Sequence, residues 1–329
     1  MYDYSLFYKK RDNSVVYVPL YVDDIDLKVV YLHNKFKIKD LGLLHYFLGM
    51  EVLYTDHGVV ISQRKFVLDM LKEYDCLHMS SLASPLDPNT KLRAKECKVL
   101  SDGTYYRKLV GKLNFLTNTR LDIGFSVQHL SQFMQDPREP HLQVAFHLLR
   151  YLKSDPTLGL FLSNDADFTI KGHCDLDWAS CPDSRKSVSG FLVLLGGSPI
   201  SWKSKKQETI SLSSAEAVYR SLRKVVGELV WLSRLLTELD VPFSKHISVF
   251  YDSQSALHIA KNPVFHERTK HIEVDSHYVR HVLHQGLISL HHITTQDQSQ
   301  LTDILTKALT GIKHSSILDK LAVLYPPPT

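Results

Sequence analysis

Short hydrophobic runs separated by turns dominate about the first sixty residues of the chain. β-Branched and aromatic residues cluster at 14–20, 46–52 and 58–61, and such runs are typical of strands. From residue 65 the apolar positions take the three- and four-residue spacing of helices. The pattern predicts helices at 106–117, 122–133 and 141–152. A strand-rich region is therefore followed by a small helical unit.

The second half of the chain has a different order of elements. Strands are predicted at 168–174, 189–195 and 200–203, and glycines at 196 and 197 suit a hairpin between the last two. Apolar residues at helical spacing from 215 to 239 predict one long helix. The remaining predicted elements are a strand at 247–251, helices from 255 and over 274–283, a strand at 287–293 and a last helix over 301–309. The order βββαβ(αα)βα predicts a mixed α/β domain.

Composition limits the class of protein. The 329 residues are 44% hydrophobic and 22% charged, which excludes disorder and allows about two domains of roughly 150 residues. No apolar stretch approaches the roughly 20 residues that a membrane crossing needs, and no signal peptide opens the chain, so no membrane partner is predicted. Four cysteines without a CxxC pair indicate free thiols and an intracellular location, cytoplasmic or nuclear. A formal net charge of +4 only mildly favours a polyanionic partner.

Four acidic residues of the second half stand at positions suited to chemistry. Asp175 and Asp252 each follow an apolar run. Glu216 lies in the first turn of the long helix, and Asp303 lies near the start of the last one. Carboxylates that converge from strand ends and helix starts can hold two divalent ions for phosphodiester hydrolysis, and Mg²⁺ suits an all-oxygen site. Each residue alone is more commonly a helix cap or a turn former, so the spacing leaves both interpretations open.

Six motifs around these acids occur in one order along the chain. They are GHCDLDWA at 172–179, ISWKSKKQ at 200–207, SSAEA at 213–217, YDSQSA at 251–256, RTKHI at 268–272 and DILTK at 303–307. Together they resemble the ribonuclease H domain of copia-type LTR retrotransposon polyproteins.

This resemblance implies the ribonuclease H fold and its metal chemistry. It places catalysis and metal ligation on Asp175, Glu216, Asp252 and Asp303, with Mg²⁺ as the cofactor and Mn²⁺ as an alternative. It also implies an RNA–DNA hybrid as a partner, and other Pol or Gag products of such an element as further partners.

Motifs upstream extend the resemblance over nearly the whole chain. The YVDD box at 21–24 resembles that of reverse transcriptases, in which a tight hairpin presents two adjacent carboxylates, here Asp23 and Asp24, to the polymerase metals. The chain begins shortly before this box and is shortened after it relative to the family, so we expect a palm remnant that does not polymerise. Further motifs resembling the palm, and then the thumb and connection, are at 39–42, 46–49, 61–63, 106–111, 119–123 and 149–153.

These interpretations divide the chain into four predicted parts. The predicted fold class is α/β, with a ribonuclease H-like mixed sheet and flanking helices over 166–312. A truncated α+β palm remnant (1–70) and a small helical thumb or connection (71–165) precede it, and a tail (313–329) follows.

A basic segment with an aromatic residue lies on the strand predicted from residue 200. Trp202 with Lys203, Lys205 and Lys206 suits binding to a phosphate backbone and to a sugar or base. A solubilising strand end with a core tryptophan explains the same residues equally well.

The function predicted from the sequence is Mg²⁺-dependent hydrolysis of the RNA strand of RNA–DNA hybrids. The alternative is a degenerate retroelement fragment that folds and binds nucleic acid without cleaving it. A third hypothesis is a product that does not fold, because a cut palm would expose strand edges and apolar surface.

Overall fold

The computed structural model describes residues 6–11, 14–19, 43–252, 273–293, 301–321 and 323–324. By their internal contacts the residues fall into two compact units, Met1–Val52 and Leu53–Thr329. The predicted polymerase pair Asp23 and Asp24, the helix predicted from residue 255 and the motif at 268–272 lie outside the described residues.

The elements of the described ranges are numbered in chain order. The strands are β1 (Leu6–Arg11), β2 (Ser14–Pro19), β3 (Tyr46–Phe47), β4 (Met50–Thr55), β5 (Gly58–Ser62), β6 (Gly159–Ser163), β7 (Ile170–Asp177), β8 (Val188–Leu195), β9 (Ser198–Lys206), β10 (Ile247–Tyr251), β11 (Ile288–His292) and β12 (Val323–Leu324). The α-helices are α1 (Arg64–Glu73), α2 (Gly103–Leu116), α3 (Gly124–Ser131), α4 (Glu139–Ser154), α5 (Ser214–Glu238), α6 (Glu273–His284) and α7 (Gly311–Lys320). Two 3₁₀ turns are η1 (Leu121–Ile123) and η2 (Leu301–Leu305).

Antiparallel strand pairs make up the described part of the first unit. Strand β1 pairs with β2, and β3 pairs with the start of β4. Leu48 and Gly49 connect β3 to β4 with φ values of 49° and 79°. Positive φ at both central residues is the geometry of a tight hairpin turn, so the single strand predicted at 46–52 is two strands.

The main sheet of the second unit has the strand order β11-β10-β7-β8-β9. Strands β7, β8 and β9 are antiparallel, while β10 is parallel to both β7 and β11. Gly196 and Gly197, with φ values of 53° and 83°, form the predicted turn between β8 and β9. Helix α5 connects the antiparallel strands to β10. The predicted α/β class with a ribonuclease H-like mixed sheet is therefore confirmed.

Helix α5 covers one face of this sheet. The Ser213 hydroxyl accepts a hydrogen bond from the backbone N–H of Glu216 (3.1 Å) and so starts the helix. Further along, the Ser221 hydroxyl donates to the backbone carbonyl of Asp175 (3.1 Å). Apolar side chains of α5 pack with those of β7, β10 and α6 in one core. The first turns of α5 are thereby fixed near the C-terminal end of β7.

The opposite face of the main sheet is covered by segments that come before and after it in the sequence. Leu192 and Leu194 of β8 pack in one core with Leu121 and Leu160, which precede the sheet, and with Ile317 of α7, which follows it. The single last helix predicted over 301–309 is wrong, because the chain forms η2, breaks, and resumes as α7. Most of α7 lies in the segment predicted as a tail, and the domain boundaries stay a prediction.

The helical unit has its own core, formed by apolar side chains of α1 to α4. The helices predicted at 106–117 and 141–152 are confirmed as α2 and α4, and each begins earlier than predicted. The Asp102 carboxylate accepts the backbone N–H of Thr104 (2.8 Å) and starts α2. The helix predicted at 122–133 begins as the 3₁₀ turn η1 and continues as α3.

A smaller antiparallel sheet also belongs to the second unit, with β6 paired to both β5 and β12. It holds the end of α7 near the start of the main sheet, because β12 directly follows α7 and β6 directly precedes β7. None of the helices in the described ranges is long and apolar enough to span a membrane.

Candidate active site

Asp175 lies on strand β7 and faces away from helix α5. Its neighbour Cys174 is in the core beneath α5, and side chains alternate between the two faces along a strand. Across the sheet, Asp175 pairs with Gly190 of β8. A Cβ atom on Gly190 would lie 2.7 Å from Thr306 Cγ2 and 2.9 Å from Leu305 Cβ. The glycine therefore allows the end of η2 to lie directly on the sheet beside Asp175.

This close approach brings a second predicted acid, Asp303, and two lysines to the site. Lys307 Nζ lies 3.2 Å from Asp175 Oδ2 and 2.9 Å from Asp303 Oδ1. Lys313 Nζ, from α7, lies 2.7 Å from Asp303 Oδ2. The Thr306 hydroxyl donates a hydrogen bond to Asp175 Oδ2. One ammonium group thus joins the two carboxylates.

Asp175 also carries a buried oxygen that the fold does not satisfy. Its side chain is fully buried, and Oδ1 has no hydrogen-bond partner among the residues that the structure describes. A buried carboxylate oxygen without a partner is costly unless a ligand or an ion binds it. Burial raises the pKa of Asp175 and outweighs Lys307 and Thr306, which favour the ionised form.

The two partners of Asp175 have pKa shifts that favour charge. Burial alone would raise the pKa of Asp303, but Lys313 and Lys307 hold it below its usual value. Burial alone would lower the pKa of Lys307, but Asp175 and Asp303 raise it above its usual value. Asp177, the next residue on the same face of β7, has a pKa raised by burial. The site therefore favours the charged forms of Asp303 and Lys307, whereas burial disfavours the ionised form of Asp175 beside them.

Glu216, the third predicted acid, is buried in the first turn of α5. Its Oε2 accepts the backbone N–H of Leu212 (2.8 Å), and its Oε1 pairs with Arg220 one turn later (2.6 Å). Arg220 also donates to the hydroxyl and the carbonyl of Thr209. Both oxygens of Glu216 are thus engaged by α5 and the loop that precedes it.

Asp252, the fourth predicted acid, is exposed and directly follows β10. Phe250 of β10 pairs in register with His173 of β7, and their rings stack at 5.0 Å on one face of the sheet. Two residues further along each parallel strand, Asp252 is level with Asp175. Within the described ranges, no group of three or more His, Cys, Asp or Glu side chains is arranged to hold a metal ion. The structure thus pairs Asp175 with Asp303 and leaves Glu216 and Asp252 outside that pair.

The predicted nucleic-acid-binding residues lie along the edge strand β9. Trp202 is half-buried, and its Nε1 donates to a backbone carbonyl of the helical unit (3.0 Å). Lys206 Nζ donates to Gln132 Oε1 (2.9 Å). Lys203 and Lys205 are exposed and alternate with Trp202 and Lys206 along the strand. A groove of about 640 Å³ separates this strand from α2 and α3. The four residues therefore divide between two faces, and their role stays a prediction.

A second buried network connects the helical unit to α7. Arg120 and Asp122 form two short contacts, Nη2 to Oδ2 at 2.8 Å and Nε to Oδ1 at 2.9 Å. The Tyr151 hydroxyl donates to Asp122 Oδ2 (2.7 Å), and the Tyr151 ring packs edge-on against His314 of α7. Burial would raise the pKa of Asp122, but Arg120 holds it below its usual value.

Sequence reasoning named the acids of the site but missed their cationic partners. Lys307 follows Asp303 by four residues, the spacing that places two side chains on one side of a helical turn, and this signal was available. Lys313 carried no such signal, because its position depends on the break between η2 and α7. Thr306 reaches Asp175 only through the tertiary contact at Gly190.

The strand order and the helix α5 define a ribonuclease H-like α/β protein, and sequence comparison defines its family. The chain is 39% identical to the retrovirus-related Pol polyprotein from transposon RE1 of Arabidopsis thaliana and 37% identical to that from transposon RE2. Each alignment covers 99% of this chain and 23% of the polyprotein, so the chain spans about a quarter of the length of these relatives. No protein-family model matches the chain. The chain belongs to the copia-type retrovirus-related Pol polyproteins of transposons.

Solved structures with similar folds are more distant. LC11-RNase H1 in complex with an RNA/DNA hybrid is 14% identical with a TM-score of 0.30, covering 42% of this chain and 94% of that one. The foamy viral protease-reverse transcriptase dRH in complex with ds DNA is 15% identical with a TM-score of 0.44, covering 84% of this chain and 46% of that one.

Proposed function

We propose that this chain hydrolyses the RNA strand of RNA–DNA hybrids with Mg²⁺, or alternatively Mn²⁺, as the cofactor. The observation that supports the proposal is the buried pair of Asp175 and Asp303 with one carboxylate oxygen left unsatisfied. Glu216 and Asp252 complete the proposed set of metal ligands. The proposed setting is intracellular, with other Pol or Gag products as further partners.

The donor set fits a hard divalent cation. All four proposed ligands are carboxylates, and Mg²⁺ prefers oxygen ligands. Asp175 Oδ1 is buried and without a hydrogen-bond partner in the described part of the chain, so it offers a free carboxylate oxygen to a cation. A positive charge, that of Lys307, already lies between Asp175 and Asp303. When bound, the metal ions would supply an activated water and stabilisation of the leaving oxygen.

The side chains of the site have separate tasks in this proposal. Asp175 is held in one orientation by the Thr306 hydroxyl and by packing, so its free oxygen is fixed before any ligand arrives. Asp252 is exposed and level with Asp175, so it faces the substrate side of the same strand ends. Glu216 would hold a cation through Oε1, the oxygen that now contacts Arg220, and Arg220 beside it would suit a phosphate of the substrate.

Recognition of the hybrid is assigned to the edge strand and the groove beside it. Lys203 and Lys205 are exposed and suit phosphate contacts, which fix the position of a nucleic acid without reading its sequence. Trp202 is engaged with the helical unit, so we assign it a supporting role at the groove wall. Selection of RNA over DNA requires contacts to the 2′-hydroxyl.

Binding without cleavage is the second candidate function, and the ion pairs favour it. Arg220 pairs with Glu216, and Lys307 joins Asp175 to Asp303, so three of the four acids already have cationic partners. If these ion pairs persist in the presence of divalent ions, the acids do not bind a metal ion. The protein would then bind a hybrid through its lysines without cleaving it.

A cleavage assay on a labelled RNA–DNA hybrid tests the proposal. The full chain with Mg²⁺ is expected to cut the RNA strand, to leave duplex DNA intact and to stop when EDTA is added. Asp252→Asn is expected to abolish cleavage, since it removes a ligand charge at an exposed position without altering packing. Asp177→Asn, on the same face two residues after Asp175, is expected to retain activity.

Two results would end this assignment of the site. Full activity of Asp252→Asn would show that the acids are wrongly assigned, and so would a loss in Asp177→Asn as large as that in Asp175→Asn. Tight binding of the hybrid by the wild-type chain without cleavage in either Mg²⁺ or Mn²⁺ would establish the binding-only function.

A further inference from the structure

Lys307 occupies the position between Asp175 and Asp303 at which a shared cation would be held. Its Nζ lies 3.2 Å from Asp175 Oδ2 and 2.9 Å from Asp303 Oδ1. The Lys307 side chain is 35% exposed, whereas the Asp175 side chain is fully buried. A long flexible stem therefore reaches from the surface and places one charge between two buried carboxylates.

The pair of Asp175 and Asp303 already has cationic partners without a metal ion. When both acids are ionised, Lys307 and Lys313 supply two positive charges against the two negative charges of the pair. Two ionised carboxylates that share one ammonium group would repel each other if no cation stood between them. Lys313 contacts Asp303 Oδ2 and, among the described residues, forms no ion pair with Asp175, so Lys307 is the lysine that bridges the pair.

We infer that Lys307 is an internal counter-ion that stabilises the metal-free site and is displaced when a divalent cation binds. The inference rests on the proposed function, because it concerns the same carboxylates. A divalent ion shared by the two carboxylates would need Asp303 as well as the free oxygen of Asp175, and Lys307 Nζ already lies 2.9 Å from Asp303 Oδ1 and 3.2 Å from Asp175 Oδ2. Such an ion would therefore compete with the Lys307 ammonium, and its binding would release Lys307 toward solvent and lower the affinity of the site for the free metal ion.

The first experiment compares metal binding by two matched variants of the full chain. Lys307→Met keeps the length of the side chain and removes the competing charge, and Lys313→Met does the same at the lysine that does not bridge. Titration with Mn²⁺, followed by electron paramagnetic resonance, is expected to show binding that is about tenfold tighter in Lys307→Met than in wild type. Lys313→Met is expected to change the affinity much less. Unchanged or weaker Mn²⁺ binding by Lys307→Met would overturn the inference.

A second measurement needs no variant and so does not depend on variant folding. Lysine acylation in the wild-type chain is read by mass spectrometry with and without saturating Mg²⁺ at constant ionic strength, with the exposed Lys95 as the internal reference. Displacement predicts that Mg²⁺ increases labelling of Lys307 several-fold and leaves Lys95 unchanged. Unchanged or decreased labelling of Lys307 would contradict displacement.

The inference and the proposed function fail in different ways. Tighter Mn²⁺ binding by Lys307→Met without hybrid cleavage by any form of the chain would support the counter-ion and refute the nuclease. Hybrid cleavage by the wild-type chain with equal Mn²⁺ affinity in all three proteins would support the nuclease and refute the counter-ion.

Discussion

Asp122 and Asp175 are both buried aspartates beside a basic side chain, and their surroundings differ. Asp122 receives two guanidinium contacts from Arg120 and a hydroxyl bond from Tyr151, so both of its oxygens are satisfied. Oδ2 of Asp175 forms an ion pair with Lys307 and accepts a hydrogen bond from the Thr306 hydroxyl, and its Oδ1 has no partner in the described part of the chain. The pKa of Asp122 is lowered by Arg120 despite burial, whereas burial raises the pKa of Asp175.

The difference separates a structural acid from one that we propose to be functional. A planar guanidinium matches both oxygens of a carboxylate, so the Arg120 and Asp122 pair is complete and has no place for a ligand. A lysine ammonium is a single charge on a flexible stem and can be exchanged for another cation. We therefore interpret the network around Asp122 as a connection between the helical unit and α7, and the pair of Asp175 and Asp303 as the reactive site.

The largest effect is expected for Asp122→Asn. The substitution leaves the buried Arg120 charge without its partner, and breaking a buried ion pair in this way costs about 3–5 kcal/mol in the free energy of unfolding. Urea unfolding at pH 7 measures the loss, with Asp69→Asn on the exposed face of α1 as the control. A loss below about 1 kcal/mol would contradict a structural role for Asp122.

The pH dependence of this loss has a defined sign. The folded-state pKa of Asp122 lies below its usual value near 3.8, so its contribution is complete above that value and disappears as the pH falls through the folded-state pKa. The difference in stability between wild type and Asp122→Asn should therefore be constant near neutral pH and shrink only below about pH 4. A difference that shrinks between pH 7 and 5 would point to another group.

A smaller loss is expected for Tyr151→Phe. This change removes the 2.7 Å hydrogen bond to Asp122 and leaves the Arg120 pair in place. A hydrogen bond to a charged group contributes about 1.5–3 kcal/mol, so the variant should unfold at lower urea concentration than wild type but higher than Asp122→Asn. Equal losses in the two variants would mean that the hydroxyl, and not the guanidinium, satisfies Asp122.

The smallest effect on stability, with the opposite sign, is expected for Asp175→Asn. Because burial raises the folded-state pKa of Asp175, ionisation of this group opposes folding as the pH rises above its usual value near 3.8. A neutral amide should leave stability at pH 7 unchanged or raise it by about 1 kcal/mol, and the gain should vanish below about pH 4. Thermal unfolding across this pH range measures it, and a loss of several kcal/mol would place Asp175 with Asp122 among the structural acids.

The order of elements could be predicted from the sequence because periodicity and turn residues are local signals. The hairpin at Gly196 and Gly197 and the long helix α5 both follow from neighbouring residues. The apolar run before Asp175 predicts that this residue ends a strand, whereas β7 continues to Asp177. The break between η2 and α7 and the cover that Leu121 gives to the main sheet do not follow from neighbouring residues. These features depend on contacts between residues far apart in sequence, which no local pattern records.

Contacts between distant residues also decide the candidate site, and the sequence does not predict them. The acids were named one by one from their positions in the sequence and from the motifs around them. The contact that Gly190 permits, and the lysine that joins Asp175 to Asp303, required the fold. The sequence therefore named the proposed acids of the site but not the lysines that pair with two of them.

Hybrid cleavage and thermal stability, measured on the same preparation of Asp175→Asn, distinguish a metal-binding Asp175 from a structural one. We expect Mg²⁺-dependent cleavage of the labelled RNA–DNA hybrid to be lost while the melting temperature at pH 7 is unchanged or higher than that of wild type. Cleavage at the wild-type rate, or a loss of cleavage that accompanies a large fall in melting temperature, would contradict the assignment of Asp175 as the functional acid of this site.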